Sequence, residues 1–203
     1  MTALLLWGAC GGYCLQASAE RLETLGPEPI EALDVTMQPG NGTFMVVDSR
    51  MTETATAAVL AGVIGAGINS AINADEDRKK AEPYQAAASQ IDVAGLVETA
   101  LRDTLASKDF PMADENLASH VLSVEVKDWG LTRVAFDRAD MAVFLKVSVV
   151  MTTGKTKVWD AYVKESGRSS GFLSETTPER FSEDMHKLAS KTGKRIAYEI
   201  IYR

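Results

Sequence analysis

The clearest order of apolar and polar positions lies in the middle of the chain. In residues 121–127, Leu122, Val124 and Val126 fall on one side and Ser123, Glu125 and Lys127 on the other. Successive side chains of a strand point to opposite faces, so this alternation predicts a half-buried strand over 121–131. A second run, 142–163, repeats the pattern. Val143, Leu145, Val147 and Val149 share one face, Lys146 and Ser148 mark the other, and residues 158–163 resume after Thr152-Thr-Gly-Lys155. Gly154 suits the positive φ of such a turn, and the run reads as an antiparallel hairpin. Phe44-Met-Val-Val-Asp48 is a shorter apolar run between turn residues and predicts a further strand.

Two stretches carry the helical period instead. Val93, Leu96, Val97, Ala100, Leu101, Thr104 and Leu105 recur at three- and four-residue spacing, behind Ser89-Gln-Ile-Asp92, which resembles a capping box. At the other end Thr177 is placed to cap a helix with Pro178 at its first position. Phe181, Met185, Leu188, Thr192, Ile196 and Ile200 then form one stripe, with Lys187, Lys191, Lys194 and Arg195 off it. The expected fold is α+β: an antiparallel or mixed sheet of about four strands, with two amphipathic helices on one face.

Residues 55–74 follow neither rule. They carry no charge and place small residues four apart, including Gly62 with Ala66 and Ala61 with Gly65. Such spacing lets another backbone approach closely, and twenty residues also match a bilayer core. Three readings stand: a helix packed on the domain, a glycine-zipper helix that inserts in a membrane or self-associates through Gly62, Gly65 and Ala66, or a loop. Residues 75–80, Asp-Glu-Asp-Arg-Lys-Lys, read as a solvated helix end.

The N-terminus changes the picture of where the domain works. Ala3-Leu-Leu-Leu-Trp7 opens an apolar run with no Lys or Arg before it, which a start codon placed too far downstream would explain. Ala17-Ser-Ala19 matches a signal-peptidase site. Trp7-Gly-Ala-Cys10 resembles a bacterial lipobox with Trp7 in place of the usual leucine, making Cys10 the candidate lipidation site. Export by either route, or a retained anchor, remains open. Residues 20–42, rich in Pro and Gly, read as a linker. The division expected is therefore 1–19 leader, 20–42 linker, and 43–203 a single domain with the Gly/Ala insert.

Charge and chemistry narrow the function by exclusion. The net charge of −7 over 203 residues, with no basic stripe carrying aromatics, argues against nucleic acid as partner. The two cysteines, Cys10 and Cys14, both lie in the leader, which leaves none for a cysteine metal site or disulfide beyond it. His186 sits three residues after Glu183, a metal-binding spacing that needs a second such unit. His120 opens a strand. Asp128, Asp137 and Asp140 flank the connection expected at 127–140, where paired carboxylates would suit a periplasmic hydrolase. The segment Ser166-Gly-Arg-Ser-Ser-Gly171 reads as a connecting loop. No nucleophile elbow, phosphate loop or dinucleotide fingerprint occurs, so no catalytic residue, metal or cofactor is expected.

The sequence 93–110, then Leu122-Ser-Val-Glu-Val-Lys-Asp-Trp129, then 143–163, resembles small bacterial envelope lipoproteins. These include auxiliary lipoproteins of ABC-type transport systems and uncharacterised outer-membrane lipoproteins. The resemblance implies a non-enzymatic, lipid-anchored accessory of a transport or surface complex, at the outer membrane or in the periplasm. Its partners would be envelope proteins or membrane lipid. Self-association through the Gly/Ala segment, giving a homo-oligomer, is the alternative.

Overall fold

A computed structural model describes residues 30–47, 69–114, 116–135 and 138–202. The described elements run β1 (Leu33–Met37), β2 (Thr43–Val47), α1 (Asn69–Ala88), α2 (Val93–Ala106), β3 (His120–Ala135), β4 (Arg138–Thr153), β5 (Thr156–Phe172) and α3 (Pro178–Ile201). The fold is mixed α+β. Five strands form one sheet, four strands wide, in the order β1-β3-β4-β5. β2 shares an edge of β3 with β1: β1 pairs with residues 120–124 of β3 and β2 with residues 128–132, both in parallel. β3, β4 and β5 are antiparallel.

β3 does not keep one alternation from end to end. Val126 pairs with Val147 and Asp128 with Lys146, so Lys127 is an extra residue, a bulge. Leu122, Val124 and Val126 face the core before it; Trp129 and Leu131 do so after it. β2 then comes so close that a Cβ on Gly130 would lie 1.8 Å from the Met45 carbonyl oxygen, and Gly130 has φ +142°. A side chain there would exclude the edge strand.

The helices lie on the core face. In α2, Val93, Val97, Ala100, Leu101, Thr104 and Leu105 are buried. In α3 the buried set is Phe181, Met185, Leu188, Ala189, Thr192, Gly193, Ile196, Ala197 and Ile200, which contains the expected stripe. Thr177 caps α3 by accepting from the Arg180 amide at 3.2 Å. The two helices nearly touch at Gly193, where a Cβ would meet the Val97 carbonyl oxygen at 2.3 Å and the Leu101 nitrogen at 2.9 Å.

An aromatic knot joins four elements. The Phe181 ring centre lies 5.7 Å from Phe44, 5.7 Å from Tyr84 and 6.3 Å from Trp129. The Tyr84 hydroxyl donates to the Thr176 carbonyl at 2.7 Å, and burial raises its pKa. The loop between β1 and β2 is held at the same place. Trp129 Nε1 donates to the Asn41 carbonyl at 2.6 Å, while the Asn41 side chain donates to Ile91 O and accepts from the Ala94 amide at the start of α2.

Several expectations are corrected. Part of the expected linker is strand β1, because residues 33–37 alternate and pair with β3; the domain therefore begins before residue 43. Asp92, not Ser89, caps α2, accepting from the Gly95 amide at 2.9 Å. Residues 75–80 lie inside α1 rather than at a helix end. The connection placed at 127–140 is mostly strand, as β3 runs to Ala135. The supposed loop 166–171 belongs to β5, with Ser166 opposite Phe144 and Gly171 opposite Met141. Of the Gly/Ala insert, residues 55–68 lie outside the described residues and the remainder opens α1.

Gly193→Ala tests the helix contact by its sign. Helix propensity favours alanine by about 1 kcal/mol, yet the clash with Val97 O should outweigh it, so urea denaturation is expected to show net destabilisation. A stabilised variant would mean the helices are not in backbone contact.

Candidate functional site

β5 alternates cleanly between faces. Trp159 and Val163 are buried toward the helices, whereas Asp160, Tyr162, Lys164 and Ser166 are exposed on the other side. Glu165 breaks the rule. It lies on the helix-facing side, opposite Leu145, and is only 8% exposed. Two cations one turn apart on α3 reach it: Lys191 Nζ donates to Oε2 at 2.9 Å and Arg195 Nη1 donates to Oε1. Burial pushes the Glu165 pKa up, but hydrogen bonds and positive charge from Lys191 and Arg195 outweigh it, holding the carboxyl below its ordinary value.

Above this clamp, the outer side of α3 lines an open groove with Lys187, Lys191, Lys194, Arg195, Tyr198 and Tyr202. The two tyrosine rings stack with centres 5.8 Å apart. Much of the positive charge is answered locally. Lys191 and Arg195 serve Glu165, and Lys187 lies 3.6 Å from Glu183 and 3.8 Å from Asp184. The groove is thus a polar and aromatic surface of modest net charge, suited to contact rather than to holding a strongly charged ligand.

On the sheet face away from the helices, Asp128 and Lys146 are cross-strand neighbours joined at 3.2 Å, with side chains only 12% and 10% exposed. Lys146 Nζ also stands 5.7 Å from the Phe144 ring centre. Asp128 therefore has a pairing role within the sheet. Asp140 lies six residues along β4 from Lys146, a separation of roughly 20 Å at strand rise, so Asp128 and Asp140 do not meet. Asp137 lies outside the described residues.

The imidazoles are also apart. His120 is buried at the start of β3 with Nδ1 2.9 Å from Ser119 Oγ. His186 is exposed on α3 with Nδ1 2.7 Å from Ser182 O, one turn back. Among the described residues no group of three His, Cys, Asp or Glu is placed to hold a metal ion, and no helix is long and apolar enough to cross a membrane. Cys10, Gly62, Gly65 and Ala66 all lie outside the described residues.

No protein-family model matches the chain, and no curated protein matches it. Solved structures resemble it in part. Protein XCC0632 from Xanthomonas campestris, of the DUF330 family, aligns at 11% identity and a TM-score of 0.40 over 52% of this chain and 59% of that one. PelC from Paraburkholderia phytofirmans, solved as a dodecamer, aligns at 19% identity and a TM-score of 0.34 over 52% of this chain and 76% of its own. The hypothetical protein CT253 from Chlamydia trachomatis aligns at 11% identity and a TM-score of 0.36 over 85% of this chain and 99% of its own. Likeness at this level says nothing of what this chain binds or does.

The Glu165 clamp has a pH signature. A carboxyl whose folded pKa is depressed contributes stability that is present above its unfolded value, about 4.3, and lost as pH falls through the folded value. Glu165→Gln should cost roughly 1–3 kcal/mol at neutral pH. In thermal melts from pH 7 to pH 3, its gap to the wild type should close on the acid side. A gap independent of pH would remove the ionic clamp.

Proposed function

We propose that the protein is a non-enzymatic accessory of a bacterial envelope complex, tethered to the outer membrane through Cys10 and working by binding or assembly. The observation that carries this reading is Gly8-Ala9-Cys10 behind an apolar run, ahead of a mixed α+β domain. An acyl chain on Cys10 would keep the domain beside the bilayer while leaving it free to meet a partner. Membrane residence by a single acyl chain is weak, so a second signal or chain is needed for stable anchoring.

The use of the titratable groups supports binding over turnover. Asp128 pairs with Lys146, Glu165 with Lys191 and Arg195, His120 with Ser119, and His186 with the α3 backbone. The two carboxylates join different elements, whereas the two imidazoles contact only their local chain. What the described residues leave exposed is the α3 groove and the part of the outer sheet face around Asp160, Tyr162 and Lys164. A role in lipid or surface-polymer transport fits such a module.

Fractionation of the native bacterium tests the tether. The wild-type protein should pellet with outer membranes, with the mature N-terminus an acylated Cys10 by mass spectrometry, and Cys10→Ser should release it. A mature protein beginning at Glu20 would replace the lipoprotein reading with simple secretion, and an intact Met1 on a cytosolic protein would overturn export altogether.

A further inference from the structure

α2 and α3 run the same way along the sheet. Early in α3, Phe181 stacks on Trp129, whose indole donates to the Asn41 carbonyl, and the Asn41 side chain accepts from the Ala94 amide at the start of α2. Further along both helices, Gly193 lies against Val97 and Leu101. Beyond α2 the Pro111 carbonyl accepts from the Leu33 amide, and Leu33 pairs with His120. The C-terminal ends of both helices therefore lie toward the end of the sheet where β1 and β3 begin. The polypeptide ahead of β1, which carries Cys10, joins the sheet at that same end.

The last turns of α3 are rich in cations. Residues 187–202 hold four, Lys187, Lys191, Lys194 and Arg195, against one acid, Glu199, in a chain of net charge −7. Most of these cations are answered. Glu165 pairs with Lys191 and Arg195, Glu199 lies 3.9 Å from Arg195, and Glu183 and Asp184 face Lys187. Lys194 is exposed and, among the described residues, has no ion-pair partner. Tyr198 and Tyr202 follow it at four-residue spacing on the same face of the helix. They are 43% and 68% exposed, and their rings stack on each other. The end of α3 thus leaves two rings with polar tips and an unpaired ammonium on a long stem, side by side in solvent.

Tyrosine is favoured at a bilayer–water interface because its ring is apolar and its hydroxyl is wet. Lysine lays its stem along the apolar boundary and keeps its charge among the polar groups. We propose that the face formed by Lys194, Tyr198 and Tyr202 rests on an anionic lipid surface and is the second membrane signal beside the acyl chain on Cys10. Its role as a second signal rests on Cys10 being the first. One acyl chain holds a protein to a bilayer only marginally, and a second contact makes residence stable. The ammonium selects anionic lipid, the rings enter the headgroup layer, and the tether reaches the same bilayer because it joins the domain at the same end.

The full-length chain carrying Cys10→Ser and Cys14→Ser removes the acyl chain and leaves the face. Co-sedimentation should show tighter binding to vesicles of phosphatidylethanolamine and phosphatidylglycerol than to vesicles of phosphatidylcholine alone, and added salt should weaken it. Lys194→Glu should lower the affinity about fivefold or more, as a surface charge reversed should, and Lys194→Arg should keep it. Tyr198→Ser/Tyr202→Ser should lower it severalfold. The apolar leader is present in every variant, so these differences report on α3. Lys79→Glu, the same charge change on α1, should have a smaller effect. Equal loss from Lys79→Glu and Lys194→Glu, full binding by the double tyrosine variant, or no preference for anionic vesicles would each overturn the proposal. So would variants that differ in sedimentation velocity without vesicles, which would assign the face to a second copy of this chain. Acylation of Cys10 is read separately by mass spectrometry of the native protein, so an unmodified Cys10 removes the tether without touching the vesicle result.

Discussion

One extra residue in the central strand sets the phase of the whole core. If β3 continued the alternation of Leu122, Val124 and Val126, Asp128 would point among the helices and Trp129 would point away from them. The bulge at Lys127 reverses this. Trp129 turns inward, stacks against Phe181 and meets Phe44 at 5.2 Å. Asp128 turns to the opposite face, where Lys146 answers it. Burying an unpaired carboxylate is far more costly than an irregular step in a ladder. The bulge also divides the edge of β3 between β1 and β2, so that Asn41 can reach α2 from the gap between them.

From that point the packing is continuous. The aromatic knot connects β2, α1, β3 and α3, and the backbone contact at Gly193 holds α2 against α3. The Glu165 clamp fastens the far side of α3 to β5. The helical layer is thus tied to the sheet by apolar stacking at one place and by ionic hydrogen bonds at another, and the two respond differently to acid. The Tyr84 hydroxyl adds a third tie by donating to the Thr176 carbonyl, with the Leu173 carbonyl 3.1 Å away.

The elements legible in the sequence were those whose burial is one-sided and regular. α2 and α3 show their core stripes at helical spacing, and the first half of β3 alternates as a half-buried strand must, while β4 keeps the same period with residues 141–147 buried on both faces. The elements missed carry a weak local signal. β1 alternates over only five residues between Pro29 and Pro39-Gly40, and its pairing with β3 decides it. α1 has no amphipathic stripe and contains Pro83, yet Ala81, Tyr84 and Ala88 are buried against the core. The end of β5 reads Ser-Gly-Arg-Ser-Ser-Gly, whose strand character comes from pairing with β4. Glu165 was missed because a carboxylate at an inward position looks like a slip in the alternation. The signal available was Lys191 and Arg195, one turn apart beside the core stripe of α3. The geometry adds what motifs could not: the pairing of Asp128 with Lys146 and of Glu165 with Lys191 and Arg195.

The parallel placement of β1 and β2 on β3 has a consequence for synthesis. A ribosome delivers these two strands first, but their hydrogen-bonding partner begins at His120, more than seventy residues later. The hairpins of β3, β4 and β5 close over short loops and gain contacts early, while joining the first strands to them requires closing a long loop at greater entropic cost. The nascent N-terminal segment therefore waits, unpaired and partly apolar, until the centre of the sheet exists to receive it. Its short strands and intervening Pro-Gly break limit what else it can pair with during that interval.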